Sequence, residues 1–378
     1  MAASLIVSSV TELVRATQDV SSNEITVRGR ISEVPALRLA PGQTLQGEDM
    51  DAAVIFVAAS DGLQLTRDNH VRSLHLAVAP DRRAIHNDTT VDSLGCITLT
   101  DISTIGQVQI LAWDQVRGGH VEVNDLNVIA ADARARTERP QGFGVHVLQG
   151  AFTLWNMQAD TGVVITARLT GLSAGRASAP VLGSGIFVSG AGFTGGRLAV
   201  SLLETGAVYS DGRIAPGTAD MISGGVFTVF NAIVDLVSNR GPVTTYGVND
   251  MVLDNWGSVD RWIAQDKITS YGPSGIGFVN FGIVNELEMR ASIETFGQGA
   301  RGFNQYAGTV NRAEFDRITT HADGSIGIQI SRPIGTLEVR RGIETFGGTG
   351  DSLVKGVVVK LAAIQPGLAF REHAPFVP

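Results

Sequence analysis

One short motif returns in the second half of the chain at a fixed interval. The segments Val243-Thr-Thr-Tyr-Gly, Ile268-Thr-Ser-Tyr-Gly, Ile293-Glu-Thr-Phe-Gly, Ile318-Thr-Thr-His-Ala and Ile343-Glu-Thr-Phe-Gly begin 25 residues apart each time, and Leu368 falls where a sixth would start. A period of this length marks a repeat architecture, in which each unit buries its apolar side only against its neighbours. Each unit holds three short strand-like runs, as in residues 268–271, 276–281 and 284–289. None is long enough, or has the 3.6-residue period, for an amphipathic helix. Three strands per turn, closed by Gly, Asn and Pro, predict a coil whose equivalent positions stack about 4.8 Å apart.

The columns that such stacking creates are internally consistent. Val243, Ile268, Ile293, Ile318 and Ile343 are all β-branched and are expected inside, with the hydroxyls of Thr245, Ser270, Thr295, Thr320 and Thr345 two places on. A second inward column reads Leu253, Phe278, Phe303, Ile328 and Leu353. Asn255, Asn280 and Gln305 follow it and suit a rung-to-rung amide ladder. Trp256, Phe281 and Tyr306 come directly after and are expected to stack.

The first half shows the same short alternating runs with a looser period, and residues 10–16, behind Ser8-Ser9, read as one short helix with a hydroxyl N-cap. Charged residues are only 17% of the chain and Gly numbers 45, which suits many strands and tight turns. The expectation is an all-β, right-handed parallel β-helix, a β-solenoid, over residues 1–378 as one domain. Residues 8–18 would cap the N-terminal end, 128–226 form rungs with long loops, 243–367 the regular rungs, and 368–378 a C-terminal cap. The net charge of -8 argues against nucleic acid as a main partner, because phosphate binding needs a basic stripe. No stretch of 18 apolar residues predicts membrane insertion. The N-terminus lacks the basic and apolar regions of a secretory signal, and only the architecture favours an extracellular or cell-surface site. Cys96 is expected to be a buried small hydrophobe.

The rungs, the amide ladder and the N-terminal helix resemble the pectin-lyase-like superfamily of right-handed β-helices, at the level of fold and over nearly the whole chain. That superfamily includes polysaccharide lyases, glycoside hydrolases, epimerases, phage tailspikes and adhesins. The polygalacturonase pattern of Asn-Thr-Asp, paired Asp and Gly-His-Gly is absent, as is the Tyr-Gly-x-Asp-Pro-His of alginate epimerases. The resemblance therefore implies a fold and not a chemistry.

Between residues 128 and 226 the rungs lengthen to about 40 residues. Segments 141–145, 182–186 and 222–226 align by eye, each after a polar insertion: 132–140, 172–181 and 211–221. These would stack at one turn into a wall carrying Arg134, Arg136, Arg176 and Arg213. Just before that turn lies an outward column, Tyr246, Tyr271, Phe296, His321 and Phe346, which extends backwards by eye through Asp211, Arg168 and Asp132. Such a stripe suits an extended polysaccharide or oligosaccharide, with the rings as platforms for pyranose faces. Asp132 and Asp211 would be about 9–10 Å apart, near the upper end for an inverting glycosidase. Arg168 between them resembles a lyase site, where an Arg takes the proton beside carboxylate-held calcium. The expected function is thus a polysaccharide-active hydrolase or lyase with Asp132, Arg168 and Asp211 catalytic; no cofactor is expected beyond calcium in the lyase case. Tyr246, Tyr271, Phe296, His321, Arg134, Arg136, Arg176 and Arg213 would bind substrate. The alternative is a non-catalytic adhesin or binding module that assembles, as a trimer for example, through the same stripe.

Asp250, Asp254, Asp260 and Asp266 surround Asn255-Trp256-Gly257 and read as solvated turn residues. Gly171-Leu-Ser173-Ala-Gly175 and Gly190-Ala-Gly192-Phe-Thr-Gly195 match a nucleophile elbow and a dinucleotide loop in spelling, but neither has the helix that those devices need. The seven histidines show no metal spacing.

Overall fold

The computed structural model describes residues 4–350 and the strands Ser352–Val354, Val357–Val359 and Leu368–Phe370. The chain winds into a right-handed parallel β-helix with three faces. In the regular rungs one face is Ser258–Ala264, Ile283–Met289 and Thr309–Phe315, and the next is Ile268–Ser270, Ile293–Thr295 and Ile318–Thr320. The third runs without a break from Leu37–Arg38 to Leu368–Phe370. Val243, Ile268, Ile293 and Ile318 stack in register and are fully buried, and so are Leu253, Phe278, Phe303 and Ile328. Large side chains repeat at one level here because each rung offers the next an identical surface to pack on.

The amide ladder forms inside the turn. Thr228 Oγ1 donates to Asn255 Oδ1 at 2.6 Å, Asn255 Nδ2 to Asn280 Oδ1 at 2.8 Å, and Asn280 Nδ2 to Gln305 Oε1 at 3.1 Å. Trp256, Phe281 and Tyr306 pack on one another at 5.6 and 4.8 Å, but tilted by 62° and 40° rather than parallel. The hydroxyl column faces the core but, among the described residues, forms one weak link, Thr245 to Ser270 at 3.5 Å, and Thr295 and Thr320 keep unpartnered hydroxyls.

The N-terminal helix, Val10–Gln18, lies between two paired strands, Ser4–Val7 and Glu24–Val27. Ser9 caps it, and Leu13 and Ala16 close the end of the core. The buried Gln43 side-chain amide donates to the carbonyls of Ala16 in the helix's last turn and of Asp19 and Ser22 just beyond it. Three expectations fail here. Leu368 does not continue the Ile343 column; it pairs with Ile328 on the third face, in the place expected of Leu353. Leu353 sits instead in an antiparallel hairpin opposite Val358. Cys96 is half-buried, not buried, with its thiol 3.8 Å from Thr98 Oγ1. The rest of the expected C-terminal cap lies outside the described residues. Among the described residues no helix is long and apolar enough to cross a membrane.

Candidate functional site

The five rings expected in one outward column form a continuous stack. Tyr246, Tyr271, Phe296, His321 and Phe346 follow one another at centroid distances of 5.4, 5.0, 4.4 and 5.4 Å, with interplanar angles of 9°, 14°, 1° and 19°. Tyr271, Phe296 and Phe346 are 48%, 37% and 65% exposed. The parallel geometry has a chemical consequence. Each inner ring has both faces covered by its neighbours, so only ring edges meet solvent. A pyranose that needs a ring face finds none on Tyr271, Phe296 or His321, so these three inner rings offer no platform.

Above Tyr246 the column continues through Asp211, whose neighbours Ser210 and Tyr209 pair with Thr245 and Thr244. Leu182 comes next, and then Asp132. Arg168 is not in the column. It pairs with Glu122 on the first face and points to solvent there, so the expected trio is not assembled. Asp132 and Asp211 do lie two rungs apart, but each is held by the arginine two residues on. Arg134 binds Asp132 at 2.9 and 2.7 Å, and Arg213 lies 3.5 Å from Asp211. Burial alone would raise the Asp132 carboxyl, yet the hydrogen bonds from the Arg134 side chain and backbone outweigh it and hold it below the usual range. A group so held does not serve as a general acid near neutrality. Among the described residues no three His, Cys, Asp or Glu side chains group closely enough to hold a metal ion.

Asp250 sits beneath this end of the stripe. A Cβ placed on Gly247 would lie 2.7 Å from Asp250 Oδ2 and 2.8 Å from Asp211 Oδ1, so both carboxyls flank one glycine. Asp250 is fully buried, not solvated. Its Oδ2 accepts from the backbone N–H of Gly212 and Gly247 at 3.2 and 2.7 Å, and its Oδ1 has no partner. Burial, with the Asp211 charge adding to it, pushes this carboxyl up to about 7 against those backbone bonds. It braces the turn and does not reach a ligand.

The insertions do not stack at one turn. Gly150 and Phe152 pair with Ser184 and Ile186, so residues 141–145 are not the equivalent of 182–186. They form instead a hairpin, Gln141–Gly142 with Val145–Val147, that lies against Met221 and Ile222 and covers the outside of the third face. Arg136 follows it there, donating to Gln107 Oε1 and the Asp81 carbonyl. Residues 175–180 leave the rung on the other side of the stripe, and there Tyr246 donates to the Ala177 carbonyl at 3.0 Å.

That loop closes one end of a groove of about 750 Å³ that the sequence did not announce. In the early rungs the first two faces belong to one bent strand. Ser73, Asp101, Asp125 and Gly171 form the bend, with φ of 50°, 53°, 57° and 66°. Left-handed backbone is tolerated by Asp better than by most residues, and at Gly171 a side chain would collide with Asp125 Oδ1, 2.1 Å away. Beyond the bend His75, Ser103, Asn127 and Ser173 stack in register as the floor, with Ala207 and Tyr209 continuing it and Arg176 at its wall. Five successive rungs make it about 19 Å long. His75 Nδ1 meets Ser103 Oγ at 2.8 Å. Burial, with the Arg30 charge adding, holds this imidazole below the usual histidine range and keeps it neutral at pH 7. Asp101 and Asp125 are exposed on adjacent rungs along the edge, and among the described residues neither has an ion-pair partner.

The fold and groove thus define a right-handed parallel β-helix with an open, polar cleft crossing its early rungs. No family model, no curated protein and no solved structure matches the chain.

Proposed function

We propose that the protein is a polysaccharide-binding β-helix of the pectin-lyase-like kind, and that it holds an extended, hydroxyl-rich chain in the groove over His75, Ser103, Asn127 and Ser173. The groove carries this reading. It is long and concave, and its floor carries neutral donors and acceptors at one rung spacing, which a polymer with a repeat of about 5 Å meets in register. Binding without cleavage is the reading favoured here. Arg168 lies on another face, and Asp132 and Asp211 are engaged by Arg134 and Arg213. The exposed ring edges of Phe296 and Phe346 remain the candidate contact for self-assembly.

Affinity electrophoresis against a panel of neutral and acidic polysaccharides tests the proposal. At least one polymer should retard the protein. Ser103→Tyr, which fills the floor, should abolish the retardation, and Phe346→Ser should leave it unchanged. No retardation by any polymer, or retardation that survives Ser103→Tyr, would refute it. A second reading, cleavage in the groove, rests on Asp101 and Asp125. They share a backbone conformation one rung apart, about 4.8 Å, close to the spacing of a retaining pair. It predicts new reducing ends that Asp125→Asn removes.

A further inference from the structure

The hairpin that covers the third face leaves a cavity at its far edge, of about 120 Å³, lined by Phe143, Ile276, Phe281 and Tyr306, with Asp254, Asn304 and Arg301 among its polar groups. Asp254 is fully buried, and neither carboxylate oxygen has a partner. The Trp256 indole N–H lies nearby but completes no hydrogen bond with it. Asn304, 4% exposed, also keeps an unpartnered Oδ1. Unmatched buried polar atoms are costly, and here those in the cavity wall are all carboxyl or amide oxygens. Among the described residues Arg301 is the one charged side chain besides Asp254 that lines the cavity, and its hydrogen bonds include those donated to Gln329 Oε1 and the Gly299 carbonyl.

We propose that this cavity is a binding site for a small organic amine with a ring-sized apolar body, its ammonium donating to Asp254 and Asn304 and its body lying among Phe143, Phe281 and Tyr306. The observations select each part of that description. Three unmatched oxygens, two on Asp254 and one on Asn304, become acceptors once Asp254 ionises and then require a donor-bearing ligand. Aromatic walls favour a cation with an apolar body. The volume approaches that of an engineered cavity of about 150 Å³ that takes up benzene. Burial pushes the empty Asp254 carboxyl well above the usual carboxylate range, towards its protonated form. On binding, that carboxyl ionises beside the ammonium and its proton leaves to solvent. The site is separate from the groove and stands whether or not a polysaccharide binds there.

Isothermal titration of the full chain with benzylamine at pH 7, in phosphate and in Tris, reads this directly. The expected result is saturable one-to-one binding whose heat differs between the buffers, because ionising Asp254 on binding releases a proton. Asp254→Asn should weaken benzylamine by about tenfold or more and leave benzyl alcohol unchanged. No saturable binding of benzylamine would overturn the proposal. So would equal heats in the two buffers, which needs no variant, or unchanged affinity in a folded Asp254→Asn protein.

Discussion

Asp250 shows how one buried side chain links the architecture to pH. Its carboxyl is pushed up to about 7 in the fold, against 3.8 for the free group. The folded chain therefore holds that proton more tightly than the unfolded chain does. The stabilisation is complete below about pH 4 and is lost as pH rises towards 7, at about 1.4 kcal/mol per pH unit. Asp250→Asn keeps an acceptor for Gly212 and Gly247 without the titration. Its stability relative to wild type should rise by a few kcal/mol between pH 4 and pH 8, as read by urea unfolding across that range; a constant difference would contradict it. Phe296 makes the opposite point, that a residue can be exposed and still structural. It stacks on Tyr271 and on His321 at once, so Phe296→Ser should lower the unfolding free energy by about 1–3 kcal/mol. A change within error would show that the stack contributes nothing.

At the scale of elements, the regular rungs could be read from the sequence and the long ones could not. A strict 25-residue period assigns every column at once, and Val243 through Ile318 and Asn255 through Gln305 lie where that period puts them. The period says nothing of ring orientation, which the rise between rungs imposes. That is why the aromatic column was legible and its buried ring faces were not. Where loops interrupt the period the register is free by a residue or more, and a small slip replaces one side chain by another. Leu182 displaced Arg168 in this way, and the hairpin 141–147 imitated a rung. The groove escaped notice because its bend depends on left-handed Ser73, Asp101 and Asp125, at intervals of 28 and 24 residues that match no repeat. The amide ladder was legible and should be costly to break. Asn280→Ala leaves the amide of Asn255 and the Gln305 carbonyl oxygen without their buried partner, and should destabilise by about 2–4 kcal/mol in urea unfolding. A loss below about 0.5 kcal/mol would mean that water replaces the amide.

Across the whole molecule, stacking gives one long core and concentrates chemistry on its outside. Three outer features result: the stripe with its edge-on rings, set by the regular period, and, from two loop placements, the groove closed by residues 175–180 and the covered third face with the Asp254 cavity at the hairpin's edge. At the N-terminal end, helix Val10–Gln18 and Gln43 stand where an open coil would expose strand edges. Removing residues 1–22 should leave Ile25 and Val27 uncovered and drive self-association, visible as a rise in apparent mass by light scattering. A monomeric truncated chain would show that the helix does not guard that edge. The most direct test of the account is a crystal structure with an oligosaccharide of the polymer that retards the protein most. It should lie along the groove, over His75, Ser103, Asn127 and Ser173, with its sugars one rung apart. An oligosaccharide seated on Tyr271 and Phe296 instead, with the groove empty, would contradict it.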